Sequence, residues 1–270
     1  MNASVVLTRP QGKNEALARR LAATGLQTLL LPALHIRPLA HDPGSIPPPA
    51  EYDLIVFVSG HALRLYLDTL SEHTRSSGWP AHTLAATVGA ASARLLEDAP
   101  YVRPGQIIYP GPDDSQDSEG LWRLLEPRLG TIKRVLIARG GTGREWLGTK
   151  LQEAGLQVRR LALYERIPAQ WDTAQTGQLE QALRAGSPCV FLLTSSESVD
   201  AVHANIRRLG LEDAWGRSRF VVIHERVACR LQSLLKASGK VEPPVVKICQ
   251  PGDDAIFQTI ALAASLSASS

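Results

Sequence analysis

Residues 4–35 read SVVLTRPQGKNEALARRLAATGLQTLLLPALH, and residues 134–165 read RVLIARGGTGREWLGTKLQEAGLQVRRLALYE. The two stretches align without a gap at a constant offset of 130 positions. Val5 falls on Val135, Arg9 on Arg139, Glu15 on Glu145 and Leu21 on Leu151, and Gly25-Leu26-Gln27 falls on Gly155-Leu156-Gln157. In each copy a β-branched run predicts a buried strand (Val5-Val6-Leu7-Thr8; Val135-Leu136-Ile137). Apolar residues at helical spacing follow, Leu17 and Leu21 in the first copy, Leu147 and Leu151 in the second. Gly25 and Gly155 stand where a helix must stop, because glycine accepts the left-handed conformation found there. A second strand completes each unit, through Leu29-Leu30-Leu31 and through Val158 to Leu163. This is a β-α-β unit with parallel strands and a right-handed crossover. A repeat at this period makes the chain two related α/β units, and a ligand can sit between them.

The remaining segments recur less strictly. Asp53 to Ser59 has its counterpart in Cys189 to Ser195, each a strand that opens a helix. Leu84 to Gly89 precedes a helix over Ala91 to Leu96, and Phe220 to His224 precedes one over Val227 to Leu235. Gln106 to Gly111 leads to a helix near Leu121-Trp122, and Val245 to Ile248 leads to one over Ala255 to Leu262. Each half therefore offers about five strands alternating with helices, the pattern of a doubly wound parallel sheet of flavodoxin type. Linkers are expected at 38–50 (PLAHDPGSIPPPA) and 166–176 (RIPAQWDTAQT), a surface loop at 71–82, and a frayed tail at 265–270.

The bulk numbers bound the rest. At 270 residues, 44% apolar and 20% charged, the chain has enough material for two domains that each bury a core. A net charge of +3 is too small to argue for nucleic acid; it is compatible with an anionic small molecule, though most proteins of this balance bind none. No apolar run approaches the length of a membrane span, and Met1-Asn2-Ala3-Ser4 enters a strand directly, so the expected location is cytoplasmic. Cys189, Cys229 and Cys249 are widely spaced and read as reduced structural thiols. The histidines form no metal-ligand pattern, and no metal is expected.

In open parallel sheets, ligands bind outside the carboxyl ends of the strands. Those ends carry Thr8-Arg9, Ser59-Gly60, Gly89, Gly111, Arg139-Gly140-Gly141, Thr194-Ser195-Ser196, His224 and Gly252. Small residues there leave N–H groups open at helix N-termini, which attract anions. Such residues also occur simply because the turn needs them and because Ser and Thr cap helices. Arg9 and Arg139 occupy matched places in the two copies and have the fork geometry that grips carboxylates. The G-x-G-x-x-G, G-x-S-x-G and Gly-Lys-Ser/Thr fingerprints are absent. The site is expected to rest on dipoles and a few polar groups, without a strong nucleophile.

Leu136-Ile137-Ala138-Arg139-Gly140, Arg144-Glu145-x-Leu147, Leu151, Gly155, Val158 and Leu163-Tyr164-Glu165-Arg166 together resemble uroporphyrinogen-III synthase. Further matches are Leu7-Thr8-Arg9-Pro10, Phe57-Val58-Ser59, Leu193 to Ser196 and Val88 to Ala93, so the resemblance covers about residues 4–260. It implies two flavodoxin-like parallel-sheet domains joined by a two-stranded hinge. One domain would hold 1–38 plus 168–270 and the other 51–163, with 39–50 and 164–167 as hinge and linkers. From the residues alone, a tandem split near residue 130 explains the repeat equally well.

The resemblance also implies the reaction. A cyclising lyase takes hydroxymethylbilane, inverts ring D through a spiro intermediate, and closes uroporphyrinogen III with loss of water, for haem biosynthesis. No cofactor is needed. The expected partners are this anionic linear tetrapyrrole and the preceding deaminase, with no nucleic acid or membrane, and the expected state is a monomer. Tyr164 is the expected catalytic side chain: it stands where Leu34 stands in the first copy, polar replacing apolar. The expected substrate-binding residues are Arg9, Ser59, Gly60, Gly89, Ser92, Arg139, Gly140, Ser195, Ser196 and Arg226. One turn departs from the family, which usually has glycine and threonines where Ile223-His224-Glu225-Arg226 stands here. Either Arg226 takes a carboxylate directly, or this part of the cleft binds its ligand differently or not at all. A non-catalytic two-lobed small-molecule sensor is the alternative, since fold does not fix function. A nucleotide-binding enzyme is disfavoured by the missing phosphate fingerprint.

Overall fold

Strands β1 (Ser4–Leu7), β4 (Leu54–Phe57), β9 (Cys189–Leu193) and β10 (Arg219–Val222) are buried at every position. Side chains alternate faces along a strand, so a fully buried strand needs a layer of helices on each side. The computed structural model describes residues 3–42, 44–70, 78–99, 101–111, 113–184, 189–237 and 244–266. Residues 71–77 of the expected loop and 267–270 of the expected tail lie outside them. In chain order the elements are β1, α1 (Glu15–Ala22), β2 (Gln27–Leu30), β3 (Leu34–Pro38), β4, α2 (Gly60–Thr69), β5 (Leu84–Thr87), α3 (Ala90–Glu97), β6 (Ile107–Ile108), α4 (Ser118–Leu125), β7 (Arg134–Gly140) and α5 (Trp146–Glu153). They continue with β8 (Gln157–Pro168), α6 (Thr173–Arg184), β9, α7 (Ser196–Arg208), α8 (Glu212–Gly216), β10, α9 (Glu225–Ala237), β11 (Val246–Ile248) and α10 (Asp253–Ser265). Among the described residues, no helix is long and apolar enough to cross a membrane.

The chain divides into two compact units. Residues 1–35 with 167–270 form unit 1, and residues 36–166 form unit 2. Unit 1 has one sheet in the order β11-β10-β9-β1-β2, and all its pairs are parallel. Counted along the unit this is the flavodoxin order 2-1-3-4-5. Val6, Phe191 and Phe220 pack on one face, and Val5, Leu7, Val190 and Val221 on the other.

Unit 2 has the order β3-β8-β7-β4-β5-β6, with β8-β7-β4-β5-β6 parallel throughout. Starting the count at β7 gives the same flavodoxin order in circularly permuted form. Ile55, Phe57 and Leu136 face one core, and Leu54, Val56 and Val135 the other. The repeat is structural to the residue. Ser4 pairs with Gln27 and Val5 with Thr28, while Arg134 pairs with Gln157 and Val135 with Val158. Gly25 and Gly155 both take positive φ, 83° and 86°.

Four details differ from the sequence reading. The edge strand β3 is an addition to the five expected in unit 2. Arg37 pairs with Glu165, Leu39 N–H with the Leu163 carbonyl and His41 with the Ala162 carbonyl, so β3 and the residues after it run antiparallel to β8. β8 also continues unbroken through 164–168, where a linker was expected. The expected strand at 106–111 shrinks to Ile107–Ile108, held between the turn Pro104–Gln106 and Pro110, which has no N–H for a ladder. Finally, residues 173–176 form the first turn of α6 and no linker. Asp172 Oδ1 accepts from Gln175 N–H and Gln175 Oε1 accepts from Asp172 N–H, a reciprocal cap spelled D-T-A-Q in the sequence.

Candidate functional site

In unit 2 the carboxyl ends of β4, β7 and β8 converge on a pocket of about 250 Å³. Its construction starts at the turn from β4 to α2. Ser59 has extended backbone and caps α2, its Oγ accepting from Ala62 N–H at 3.1 Å. The same oxygen lies 3.0 Å from the phenolic oxygen of Tyr164, 105 residues away in sequence. Tyr164 reaches it through a β-bulge. Arg139 pairs with Ala162 but Gly140 pairs with Tyr164, so Leu163 is an extra residue in β8. The bulge breaks the alternation and buries Leu163 and Tyr164 in succession, each 2% exposed. His61, on the first turn of α2, meets the Tyr164 ring edge-on at 5.9 Å. The Arg166 guanidinium lies 6.0 Å from the ring centroid, within cation–π reach. Two hydroxyls carry two protons and use one between them, so the pair always retains a free donor.

The pocket wall is ionic. Arg139 is 7% exposed. Its Nη1 pairs with Glu145 Oε1, and its Nε donates to the Gly140 carbonyl at 3.1 Å. Arg160 Nε donates to the other oxygen of Glu145 at 2.7 Å, so two guanidiniums clamp one carboxylate. Burial pushes the Glu145 carboxyl up, but the hydrogen bonds from Arg160 and Arg139 outweigh it and hold the group below its ordinary range. Arg144 forks onto Glu119 at the start of α4. Asp117 caps α4, accepting from Gly120 N–H at 2.8 Å. Ligand pockets usually run to about 300–1,000 Å³, so this one fits part of a large ligand and not all of it.

The other strand ends bring further turns into view. Gly89 caps α3, yet the Ala90 N–H there is taken by Gln116 Oε1 at 2.7 Å. Gln116 in turn donates to the Pro110 and Gly111 carbonyls. In unit 1, Ser195 and Ser198 cap α7 reciprocally. Arg9 Nη1 pairs with Asp253 at 2.6 Å and its Nε with Asn14 at 3.3 Å, while its buried Nη2 has no partner among the described residues. His224 Nδ1 accepts from Arg226 N–H at 3.0 Å, taking up the capping role that a small hydroxyl residue usually fills.

Residues 15–239 match the family model described as uroporphyrinogen-III synthase HemD. The chain belongs to the uroporphyrinogen-III synthase family. Among curated relatives it is 30% identical over 230 residues to the uroporphyrinogen-III synthase of Salmonella typhimurium, covering 83% of this chain and 89% of that protein. It is 28% identical over 228 residues to that of Escherichia coli, with the same coverage. Among solved structures it is similar to the uroporphyrinogen-III synthetase of Helicobacter pylori, with a TM-score of 0.60, 15% identity and coverage of 96% and 99% of the two chains. A mutant uroporphyrinogen III synthase from Thermus thermophilus gives 0.51, 18%, 97% and 98%. The uroporphyrinogen-III synthase match runs from the start of α1 through α9, so it contains every residue of the pocket in unit 2.

Within this uroporphyrinogen-III synthase fold, the expected site residues divide between the units. Arg139, Gly140 and Tyr164 line the unit 2 pocket, and Ser59 touches its tyrosine. Gly60, Gly89 and Ser92 lie at the α2 and α3 ends of the same sheet, the Ser92 hydroxyl 3.6 Å from where a Cβ on Gly60 would stand. Arg9, Ser195, Ser196 and Arg226 belong to unit 1. Both matched arginines already hold carboxylates of their own unit, Asp253 and Glu145. The sequence reading missed Arg144 and Arg166 of the pocket wall, and His61 and Gln116. Arg166 had a signal: it stands two positions after Tyr164 on the same strand, the period that returns a side chain to one face.

Proposed function

We propose that the chain is a cyclising, dehydrating lyase that converts hydroxymethylbilane to uroporphyrinogen III, with Tyr164 assisting loss of the terminal hydroxyl. The observation that supports this most is the Tyr164–Ser59 hydroxyl pair, a free proton donor at a pocket walled by guanidinium groups. The substrate is an open tetrapyrrole with eight carboxylate side chains. Arg166 and Arg144 are the exposed cations of the wall, and a substrate carboxylate at Arg144 would take the place of Glu119. Each charge-assisted hydrogen bond contributes roughly 1.5–3 kcal/mol. The pocket receives one end of the chain of rings, the end that carries the leaving hydroxyl.

In the first step the C–O bond breaks with its electron pair on oxygen, pushed by the adjacent pyrrole nitrogen. The oxygen takes the phenolic proton of Tyr164 and leaves as water. The pyrrole N–H of the cationic product then gives up its proton and restores the phenol. A positioned general acid typically contributes about 10²–10⁴ in rate. Ring D inverts through the spiro intermediate only if the chain is held in the curled geometry. Such orientation lowers a barrier by about 7–11 kcal/mol in well-aligned cases. The tetrapyrrole supplies its own reactivity.

The test is incubation with enzymatically generated hydroxymethylbilane and separation of the isomers. The type III isomer is expected. Formation of the type I isomer alone, the spontaneous product, would overturn the proposal and leave a protein that binds without turnover.

A further inference from the structure

We infer that Ser59 is a positioning residue that sets the direction of the Tyr164 proton, through a one-way hydrogen-bond chain that starts at the N-terminus of α2. The inference rests on the dehydration reading of Tyr164 and adds to it.

Three donors stand in line. Ala62 N–H donates to Ser59 Oγ at 3.1 Å. Ser59 Oγ lies 3.0 Å from the Tyr164 oxygen. With one lone pair of Ser59 already taken by Ala62, its own proton is free to point at the phenol. The phenol proton is then turned out, toward the leaving hydroxyl. Every bond runs in the same sense: N–H to serine, serine to tyrosine, tyrosine to substrate. Hydrogen bonds in series polarise one another, so each donor becomes stronger than it would be alone. The chain also begins at a helix terminus whose partial positive charge favours negative charge nearby. As the phenol gives up its proton, the developing phenolate accepts from Ser59 with that terminus behind it. The reverse order, phenol donating to serine, would spend the tyrosine proton inside the protein.

The second copy of the fold lacks this arrangement. Ser195 caps α7 as Ser59 caps α2, but it exchanges its bonds with Ser198. The residue matched to Tyr164 by the repeat is Leu34. The serine cap is therefore common to both units, and the phenol that turns it into a relay belongs to unit 2.

The experiment measures kcat, KM and melting temperature for Ser59→Gly, Ser59→Asp and Ser59→Thr, with Ser59→Gly also made in the Tyr164→Phe background. Glycine and aspartate both serve as N-caps, so α2 keeps its start in each. Ser59→Gly removes the relay, and kcat is expected to fall about tenfold or more with KM little changed. Ser59→Asp presents only acceptors and draws the phenol proton inward, so kcat falls although the cap is kept. Ser59→Thr keeps cap and hydroxyl together and is expected to retain most of the turnover that Ser59→Gly loses. In the Tyr164→Phe background, Ser59→Gly is expected to lower kcat no further, because serine acts only through the phenol.

Wild-type turnover in Ser59→Gly or Ser59→Asp overturns the inference, as does a Ser59→Gly effect that multiplies with that of Tyr164→Phe. These results are distinct from failure of the underlying reading. That failure appears as type I product alone from the unaltered protein, or as full turnover in Tyr164→Phe, and it removes the role of Ser59 as well.

Discussion

Gly140 and Tyr164 stand against each other across the break in register between β7 and β8, with no room for a side chain on the glycine. A Cβ at Gly140 would lie 2.9 Å from both Cε2 and Cζ of the phenol and 3.3 Å from its oxygen. The glycine is not required by its backbone, since it is not among the residues with positive φ. It is required by the ring. Tyr164 is 2% exposed and cannot swing into solvent. Gly140→Ala is therefore expected to destabilise unit 2 by about 1–3 kcal/mol, the cost of overpacking. With Tyr164 in its proposed catalytic role, Gly140→Ala should also lower turnover by about 10²-fold, the cost of misplacing such a group. Gly141→Ala is the control, because its Cβ meets only the Tyr164 carbonyl oxygen at an ordinary 3.8 Å. Melting curves and turnover of the two variants decide the matter; equal behaviour would remove the steric argument.

Tyr164→Phe keeps the ring that fills the space under Gly140 and removes only the oxygen. Ser59 retains its bond from Ala62 N–H, so no buried group loses its only partner. The stability cost is one neutral hydrogen bond, about 0.5–1.5 kcal/mol. On the role proposed for Tyr164, the turnover cost is that of a general acid, about 10²–10⁴. Denaturant melts and product formation, measured on the same preparation, separate the two quantities.

The two α/β units were legible because the repeat kept its length. With no insertion between Val5 and Gln27 or between Val135 and Gln157, the parallel registers could be superposed from the letters alone, and the structure pairs them the same way. What failed was reading elements whose residues lack the usual marks. β3 is Leu-His-Ile-Arg-Pro at a sheet edge, with only Leu34 buried, so it shows little apolar signal. The start of α6 carries a reciprocal Asp172–Gln175 cap, but it follows closely on Pro168, and a proline reads as a break between elements. In the site, Tyr164 stood out as a polar residue at an apolar repeat position. Its bond to Ser59 could not be read, because 105 residues separate them and a bulge sets the ring's direction. Arg9 and Arg139 were read as free forks. Pairing to Asp253 and Glu145 is a fact of three dimensions that a charge count does not contain.

The three thiols should differ in reactivity. Cys189 is buried in β9, and burial pushes its thiol up to about 12. Cys249 is half-buried, and burial raises its thiol too. Cys229 is exposed on α9. Since the thiolate is the reactive form, a chromogenic disulfide reagent at pH 8 is expected to take Cys229 quickly, Cys249 slowly, and Cys189 only in denaturant. Peptide mapping of the labelled protein checks the order. Rapid labelling of Cys189 in the folded protein would show that β9 opens.

The Glu145 clamp makes stability depend on pH in a defined direction. Its carboxyl ordinarily titrates at 4.5 and is lower in the folded chain, because the hydrogen bonds from Arg160 and Arg139 outweigh burial. A depressed carboxylate contributes fully above its unfolded value, and the contribution is lost as pH falls through the folded one. Wild-type stability should therefore fall from pH 5 toward pH 3 more steeply than that of Glu145→Gln. At pH 7 the variant should already be weaker. The two halves of the clamp are unequal. Arg160 is 31% exposed, and a pair of that kind is worth about 0–1 kcal/mol. The Arg139 side chain is 8% exposed but Glu145 is 52% exposed, so this bond is sheltered at its arginine end and screened by solvent at the other, worth about 1 kcal/mol. Arg160→Gln, which breaks one pair, should accordingly cost less at pH 7 than Glu145→Gln, which breaks both. Melting curves of the three proteins across pH 3–7 test both statements, and equal costs for the two variants would show that the buried arginine does not depend on this carboxylate.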